Sequence, residues 1–231
     1  MHGAPIDMAE ILATFRGEVR LFPLPNLVLF PDSFAPLKVF EKRFVKLVDD
    51  AKDDDGLVGM ALLKPGWEDD YQGDPPIHPI VCIGRMLRQQ RLPSGNYDVL
   101  LYGLFRARIV EELASEPYRR ARVEILEDRA LPVQAETIAK RMHRALDLVP
   151  GRKSVIWEMR RMANQLRGID ATPGRYADAV ANASDLQHED RYQLLAEADV
   201  LRRLEQLIEM LEVRAYTGAP RTPRGTRPDL N

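Results

Sequence analysis

Residues 21–44, LFPLPNLVLFPDSFAPLKVFEKRF, constrain the fold more than any other part of this chain. Prolines separate the three apolar runs of this segment, and the last run leads directly into charged residues typical of a helix. Because proline has no N–H to donate and favours an extended residue before it, the segment cannot form one continuous helix. The pattern predicts short strands and turns, followed by a helix over residues 41–51.

Apolar and polar residues alternate along much of the sequence that follows, up to about residue 128. The alternation is clearest over residues 99–109 and 121–125, and residues 57–64 and 80–86 are further strand candidates. Alternation places successive side chains on opposite faces of a strand, one set in a core. A Pro-Ser-Gly-Asn turn sequence separates two of these strands, as in an antiparallel pair. We therefore predict a small, mostly antiparallel β-barrel or rolled sheet.

The hydrophobic period changes to 3.6 residues after Leu131, which predicts helices. The predicted helices cover residues 138–149, residues 155–166, a short stretch after residue 173 and a segment of about 25 residues ending near residue 211. The tail lacks apolar periodicity, so we expect it to be disordered. The fold class is thus α+β, with a β domain at residues 17–130, a helical bundle at 131–216 and a tail at 217–231.

Composition and the start of the chain argue against a secreted or membrane protein. Cys82 is the single cysteine, so no intramolecular disulfide can form, and no apolar run reaches the ~20 residues that span a bilayer. The first residues include Asp7 and Glu10 and lack the basic start and long apolar stretch of a signal peptide. The net charge of −2 gives no overall attraction to nucleic acid or to an anionic membrane. We expect a cytoplasmic protein.

Enzyme motifs are missing from the sequence. No GxxxxGK[ST] phosphate-binding loop occurs, and Ser154, the one serine beside a lysine, lies at a predicted helix start, a position that serine favours. The four histidines are far apart, and none pairs with cysteine at metal-ligand spacing. The acidic runs at residues 53–55 and 68–70 lack the alternating oxygen ligands of a calcium loop. We predict a protein with no catalytic residue, no metal site and no cofactor.

Several short sequences occur in a distinctive order: PLPNLVLFP at residues 23–31, APLKVFEKRF at 35–44, YGLFR at 102–106 and RYQLLA at 191–196. Together they resemble the N-terminal substrate-binding domain of ATP-dependent Lon proteases, whose members read roughly P-L-x-x-x-V-L-F-P and then P-L-x-I-F-E-x-R-Y. Lys42 and Phe44 stand where the family often has Pro and Tyr. The resemblance implies a PUA-like β pseudobarrel, then a helical bundle, and a module that binds polypeptides without cleaving them.

Four residues are candidates for a polypeptide-binding surface: Phe34, Trp67, Tyr71 and Ile77. Aromatic side chains on a loop such as that of Trp67 and Tyr71 give a large contact at a low entropy cost. The alternative is that Trp67 folds back to cover the barrel. The segment around Phe34 could form an edge for strand addition by an extended peptide, whereas its neighbour Phe40 is predicted to lie in the core.

Glu41, Gly103 and Arg106 form a candidate structural signature, because Gly103 and Arg106 align with the family's G-x-x-R pattern. Arg106 could bind a carboxylate ligand with two parallel hydrogen bonds. The alternative is that Arg106 pairs with an internal acid such as Glu41 and so fixes the barrel.

Two functions remain as hypotheses. In the first, the chain captures unfolded, misfolded or degradation-marked proteins, or docks on a Lon-type protease or a chaperone. In the alternative, a PUA-like domain binds RNA through its arginines, which include Arg85, Arg88, Arg91, Arg119, Arg120 and Arg122. Acidic residues nearly balance the basic ones and few aromatics accompany these arginines, so we do not expect nucleic-acid binding. The long C-terminal helix could pack within its own bundle or across a homodimer.

Overall fold

The computed structural model describes residues 7–71, 73–113, 116–129, 135–149 and 172–217. Contacts divide the chain into two compact units, which within these residues are 7–126 and 127–217. The predicted helix over residues 155–166 and the predicted tail, apart from Thr217, lie outside the described residues. None of the described helices is long and apolar enough to cross a membrane.

The described part of the first unit contains six strands, two α-helices and a 3-10 helix. The strands are β1 Glu18–Leu24, β2 Phe34–Val39, β3 Leu57–Leu62, β4 Ile80–Arg91, β5 Tyr97–Glu112 and β6 Arg120–Ile125. The helices are α1 Met8–Thr14, α2 Lys42–Lys52 and the 3-10 helix Trp67–Asp70. Helix α2 confirms the predicted helix after the proline-rich segment.

The strands form one sheet in the order β2-β5-β4-β3-β1-β6. β5 is 16 residues long. One of its edges pairs with β4, and the other pairs with β2 along its first half and with β6 along its second half. The second pairing closes the sheet into a barrel. β1 and β3 run parallel, and the five other pairings are antiparallel. The α+β class and the mostly antiparallel barrel predicted from the sequence are confirmed.

Two features of the strands differ from their sequence pattern. β4 continues to Arg91, well beyond the predicted end at residue 86, because its second half pairs with the start of β5. Ile125, predicted to share a buried face with Ala121 and Val123, is 40% exposed. Ile125 is the last residue of β6, and burial on this face of the strand ends at Val123.

Gly103 occupies the tightest backbone contact of the barrel. Its N–H donates to the carbonyl of Ser33 and its carbonyl accepts from the N–H of Asp32, each at 2.9 Å. A Cβ at this position would overlap the carbonyl oxygen of Phe30. Glycine is therefore required here by the close approach of two backbone segments.

The described part of the second unit contains four helices: α3 Ala135–Asp147, α4 Pro173–Ala183, α5 His188–Ala196 and α6 Val200–Thr217. Helix α6 packs against α3 and α4. Thr172 caps α4 by accepting a hydrogen bond of 3.3 Å from the N–H of Arg175, and proline follows as the first helical residue. The helical second half predicted from the 3.6-residue period is confirmed within these residues.

The predicted helix of about 25 residues is wrong, because the chain breaks between α5 and α6. Glu197 has an extended backbone with a ψ of 110°, and Asp199 begins α6 by accepting a 3.0 Å hydrogen bond from the N–H of Arg202. The break admits Arg129, whose N–H donates to the carbonyl of Ala198 at 2.7 Å and whose carbonyl accepts from Val200 at 3.1 Å.

Arg203 lies at the centre of this second unit with none of its surface exposed. Its guanidinium contacts Asp178 at 3.1 Å, forms an ion pair with Asp128 and donates to the carbonyl of Glu197 at 2.9 Å. A buried arginine is tolerated when carboxylates and carbonyls satisfy its N–H groups, as they do here. Arg203 therefore joins the segment before α3, helix α4 and the break before α6.

Candidate functional site

A shallow apolar groove opens on the first unit between β1, the end of β2 and the start of α2. Its apolar lining consists of Phe22, Leu24, Leu37, Val39, Phe40 and Phe44. Lys38 and Glu41 supply its charged groups. A shallow apolar surface with few polar groups can pack against an apolar side chain.

Phe40 is the most exposed apolar residue of this groove. Its side chain is 40% exposed, although the sequence predicted it as core. The reason is its position directly after β2, where the chain turns into α2 and leaves the buried face of the strand. Behind it the buried rings of Phe22 and Phe44 stack with centroids 4.1 Å apart and an interplanar angle of 15°.

β2 forms one end of the strand order, with β5 as its neighbour. Pro36 lies in the middle of β2, as expected for an edge strand, because proline cannot donate to a second neighbour. Ala35, Leu37 and Val39 are buried, whereas Pro36 and Lys38 on the other face are exposed. The groove therefore lies beside a strand that pairs only with β5 within the described residues.

The loop after β3 is joined to the groove through Arg43. The guanidinium of Arg43 lies 4.7 Å from the ring centre of Phe44 and 5.2 Å from that of Tyr71. Trp67 packs edge-on against Tyr71 with centroids 5.4 Å apart. Arg43 also donates to the carbonyl of Tyr71 at 3.1 Å. The aromatic residues of the loop thus continue the aromatic wall of the groove.

Glu41 fixes this arrangement. Its carboxylate accepts a 2.6 Å hydrogen bond from the hydroxyl of Tyr71 and a 3.0 Å hydrogen bond from Nε of Arg43. Burial and the neighbouring carboxylate raise the pKa of Tyr71 well above its ordinary value. Tyr71 therefore remains a protonated donor over the whole physiological range.

Arg119 holds the same loop at a second point. This buried side chain donates to the carbonyl of Pro75 at 2.6 Å and forms an ion pair with Glu112 of β5. The loop between β3 and β4 is therefore attached to the barrel at two points, by Arg43 at Tyr71 and by Arg119 at Pro75.

Comparison with known protein families matches residues 18–213 to the substrate-binding domain of the ATP-dependent protease La (LON). The chain belongs to the Lon substrate-binding domain family.

The relatives of this domain are Lon proteases. The Lon protease of Roseiflexus castenholzii is 33% identical over 213 residues, and that of Anaeromyxobacter dehalogenans is 27% identical over 197 residues. These alignments cover 90% and 83% of this chain but 25% and 22% of the relatives. The chain therefore spans about a quarter of the length of those Lon proteases.

Solved Lon N-terminal domains share the fold. A Lon N-terminal domain protein from Xanthomonas campestris matches with a TM-score of 0.60 at 24% identity, covering 83% of this chain and 97% of its own. The N-terminal domain of the Mycobacterium avium complex Lon protease matches with the same TM-score at 22% identity, covering 84% and 98%.

In this Lon-type domain, the predicted surface residues fall in different places. Trp67 and Tyr71 lie together and half-buried beside Glu41. Phe34 begins β2, and its ring centre lies 5.0 Å from that of Tyr102. Because Phe34 precedes Phe40 by six residues of extended chain, the two lie about 20 Å apart along the strand. Ile77 is buried and pairs with Leu63 in an isolated bridge.

The three signature residues of the Lon family resemblance are also separated. Glu41 has Arg43 and Tyr71 as its hydrogen-bond partners. Arg106 is buried in β5, and Gly103 makes the close backbone approach described above. The groove residues Phe22 and Phe44 and the anchor Arg43 were missed by the sequence analysis. The F-E-K-R-F sequence of residues 40–44 contained the signal, since two aromatic residues flank three charged residues there.

A second, polar cleft lies near the start of this Lon-type domain. Arg16, Arg20 and Arg120 line it together with Glu18, Asp54 and Asp55. Arg20 forms ion pairs with Asp54 at 2.6 Å and Asp55 at 3.1 Å. Because its charges are balanced and its lining is mostly polar, this cleft suits an apolar polypeptide segment less well than the groove at Phe40.

Proposed function

We propose that this chain is a non-catalytic module that binds extended segments of other proteins in the groove beside β2. The observation that carries the proposal is the partly exposed Phe40 at an apolar groove next to an edge strand. Folded proteins bury their apolar side chains and pair their backbone, whereas unfolded or misfolded segments offer both. A groove of this kind therefore favours unfolded segments.

Binding would combine two contacts. An apolar side chain of the bound segment enters the groove against Phe40, while its backbone runs along β2 as an added strand. Phenylalanine exposes roughly 200 Å² when free, so covering the exposed part of Phe40 removes roughly 80 Å² from water. At about 25 cal/mol per Å² this contributes about 2 kcal/mol.

The loop that holds Trp67 and Tyr71 would enlarge this surface. Its two arginine contacts keep it in place before binding, so little conformational entropy is lost when a segment packs against Trp67. The ring of Trp67 packs on Tyr71 and is half-buried, so part of its surface is available to a bound segment.

A fluorescence anisotropy titration with a labelled, permanently unfolded polypeptide tests the proposal. We expect saturable binding that Phe40→Ala weakens by about tenfold or more, as the lost contact implies. Leu87→Ala is the matched control, because Leu87 of β4 is 42% exposed and does not line the groove. Equal losses in the two variants, or no binding by the unchanged chain, would contradict the proposal.

The same titration with a labelled RNA oligonucleotide tests the alternative. Three of the arginines that could bind RNA already have partners in the fold. Arg119 and Arg122 form ion pairs with Glu112 and Glu111, and the guanidinium of Arg91 lies 5.6 Å from the ring centre of Tyr97. We expect no saturable RNA binding at physiological salt. RNA binding that weakens steeply as salt rises would favour the alternative.

We also propose that the 231-residue chain acts without catalysis, in the cytoplasm, together with a Lon-type protease or a chaperone that receives the bound protein. The family match to a substrate-binding domain supports the non-catalytic role in this proposal. Purified chain should neither hydrolyse ATP nor cleave casein. Stoichiometric turnover of either would contradict it.

A further inference from the structure

We infer that the groove prefers segments in which an acidic residue directly neighbours the apolar residue that enters it. The inference rests on the proposed function and specifies its substrate class. It follows from the distribution of charge around the groove and from the geometry of strand addition to β2.

Lys38 supplies the first positive charge. It borders the groove between Leu37 and Val39, and its side chain is exposed on the opposite face of β2. Asp98 of β5 stands opposite Lys38 in the strand register, but Lys38 has no ion pair within the described residues. Lys42 supplies the second. It is the exposed first residue of α2, again without an ion pair in the described part of the chain.

The N-terminus of α2 adds no free positive charge. Its N-cap residue is Glu41, whose carboxylate offsets the partial positive charge of the helix start. Glu41, the carboxylate that lines the groove, is already engaged by Arg43 and Tyr71. The acidic residues of the loop at 68–70 do not line the groove. Two lysines therefore remain to attract a carboxylate from a bound segment.

Strand geometry fixes where that carboxylate must lie. Leu37 and Val39 are buried on the groove face of β2, and Lys38 between them is exposed on the other face. A segment added beside β2 alternates in the same way, so the neighbour of its groove-bound residue stands on the Lys38 face. Directly opposite residues of paired strands have Cβ atoms about 5 Å apart, within reach of a lysine–carboxylate pair.

Three labelled peptides that differ only at this neighbouring position test the inference on the full chain. Each carries the same apolar residues in an extended, uncharged context, with Glu, Gln or Lys beside the central aromatic residue. We expect the Glu peptide to bind about threefold to fivefold more tightly than the Gln peptide, and the Lys peptide more weakly than both. The Glu preference should shrink as salt concentration rises.

Variants of the chain locate the effect. Lys38→Glu should reverse the order of the three peptides, and Lys38→Arg should preserve it. Lys52→Glu is the control, because Lys52 is an exposed residue at the other end of α2 and gives the same change in charge. Circular dichroism of each variant shows that it is folded.

Each outcome is informative. Equal affinity for the three peptides, or an order that Lys38→Glu leaves unchanged, overturns the charge preference and leaves the proposed function standing. No binding of any peptide, together with no binding of the unfolded polypeptide, overturns both.

Discussion

The hydroxyl of Tyr71 donates a hydrogen bond of 2.6 Å to the carboxylate of Glu41, across 30 residues of sequence. Through this contact the loop after β3 is attached to the residue that precedes α2 and lines the groove. The loop, the helix start and the groove therefore form one structural unit. A change at Tyr71 is expected to alter the position of Trp67 and the shape of the groove wall together.

Tyr71→Phe removes this hydrogen bond and should lower the free energy of unfolding by about 1 kcal/mol, since the bond is partly exposed. In a Trp157→Phe background, the remaining Trp67 should become more accessible to acrylamide quenching. Tyr216→Phe is the control, because Tyr216 is 93% exposed and should change neither property. Unchanged quenching after Tyr71→Phe would mean that Arg43 and Arg119 hold the loop without Tyr71.

Arg203→Met should be far more destabilising than the same substitution of an exposed helical arginine. It removes one side of a buried ion pair, since the side chain of Asp178 is 2% exposed, and breaking such a pair typically costs about 3–5 kcal/mol. Arg144→Met is the matched control, because Arg144 pairs with Glu212 at the surface and such pairs contribute about 0–1 kcal/mol. Urea denaturation followed by circular dichroism compares the two. Similar midpoints would contradict a central role for Arg203.

Gly103→Ala should destabilise the barrel by about 1–3 kcal/mol or prevent its folding, because the added methyl group meets a backbone carbonyl that cannot move aside. Gly59→Ala makes the same change where the nearest atoms are side-chain methyls of Leu21 at 3.1 Å and Val19 at 3.3 Å. We expect the second variant to lose less stability in thermal denaturation. The reverse order would show that the segment at Phe30 can shift.

Tyr176 should make stability dependent on alkaline pH. Its hydroxyl donates to the carbonyl of Met142 at 2.6 Å, and burial, with a smaller effect of Asp147, raises its pKa to about 12. In the unfolded chain the tyrosine ionises near its ordinary pKa of about 10. The stabilisation is therefore complete below about pH 10 and is lost as the pH rises through about 12.

The comparison of the unchanged chain with Tyr176→Phe isolates this effect. The variant should be less stable at pH 9, because it lacks the hydrogen bond. Its disadvantage should shrink as the pH rises, because only the unchanged chain loses the contribution of Tyr176. A difference in the free energy of unfolding that stays constant from pH 9 to 12 would show that Tyr176 is not protected in the fold.

The α+β class and the order of strands and helices could be predicted from sequence because they follow from local periodicity. The helix break could not, since Leu194, Ala198 and Leu201 keep helical spacing across it. Asp199, a good helix N-cap, was the local signal for a new helix start. The contact that makes the break favourable comes from Arg129, about 70 residues earlier in the chain.

The groove was hidden from the sequence for a similar reason. Phe22, Phe40 and Phe44 look alike as apolar residues of strands and a helix, yet one is 40% exposed and the others are buried. Which aromatic is left open depends on where β2 ends and α2 begins in space. Trp67 and Tyr71 could be selected in advance because aromatic residues in a polar loop are unusual.

The pairing of β1 with β6 has a consequence for folding during synthesis on the ribosome. Glu18 of β1 pairs with Arg122 of β6, so the ring of strands cannot close until more than 100 further residues have been made. At roughly 5–20 residues per second, the nascent β1 waits roughly 5–20 seconds with one edge open. Contacts so distant in sequence also form slowly. During its own synthesis, this barrel therefore passes through the same kind of exposed, incomplete state that we propose it binds in other proteins.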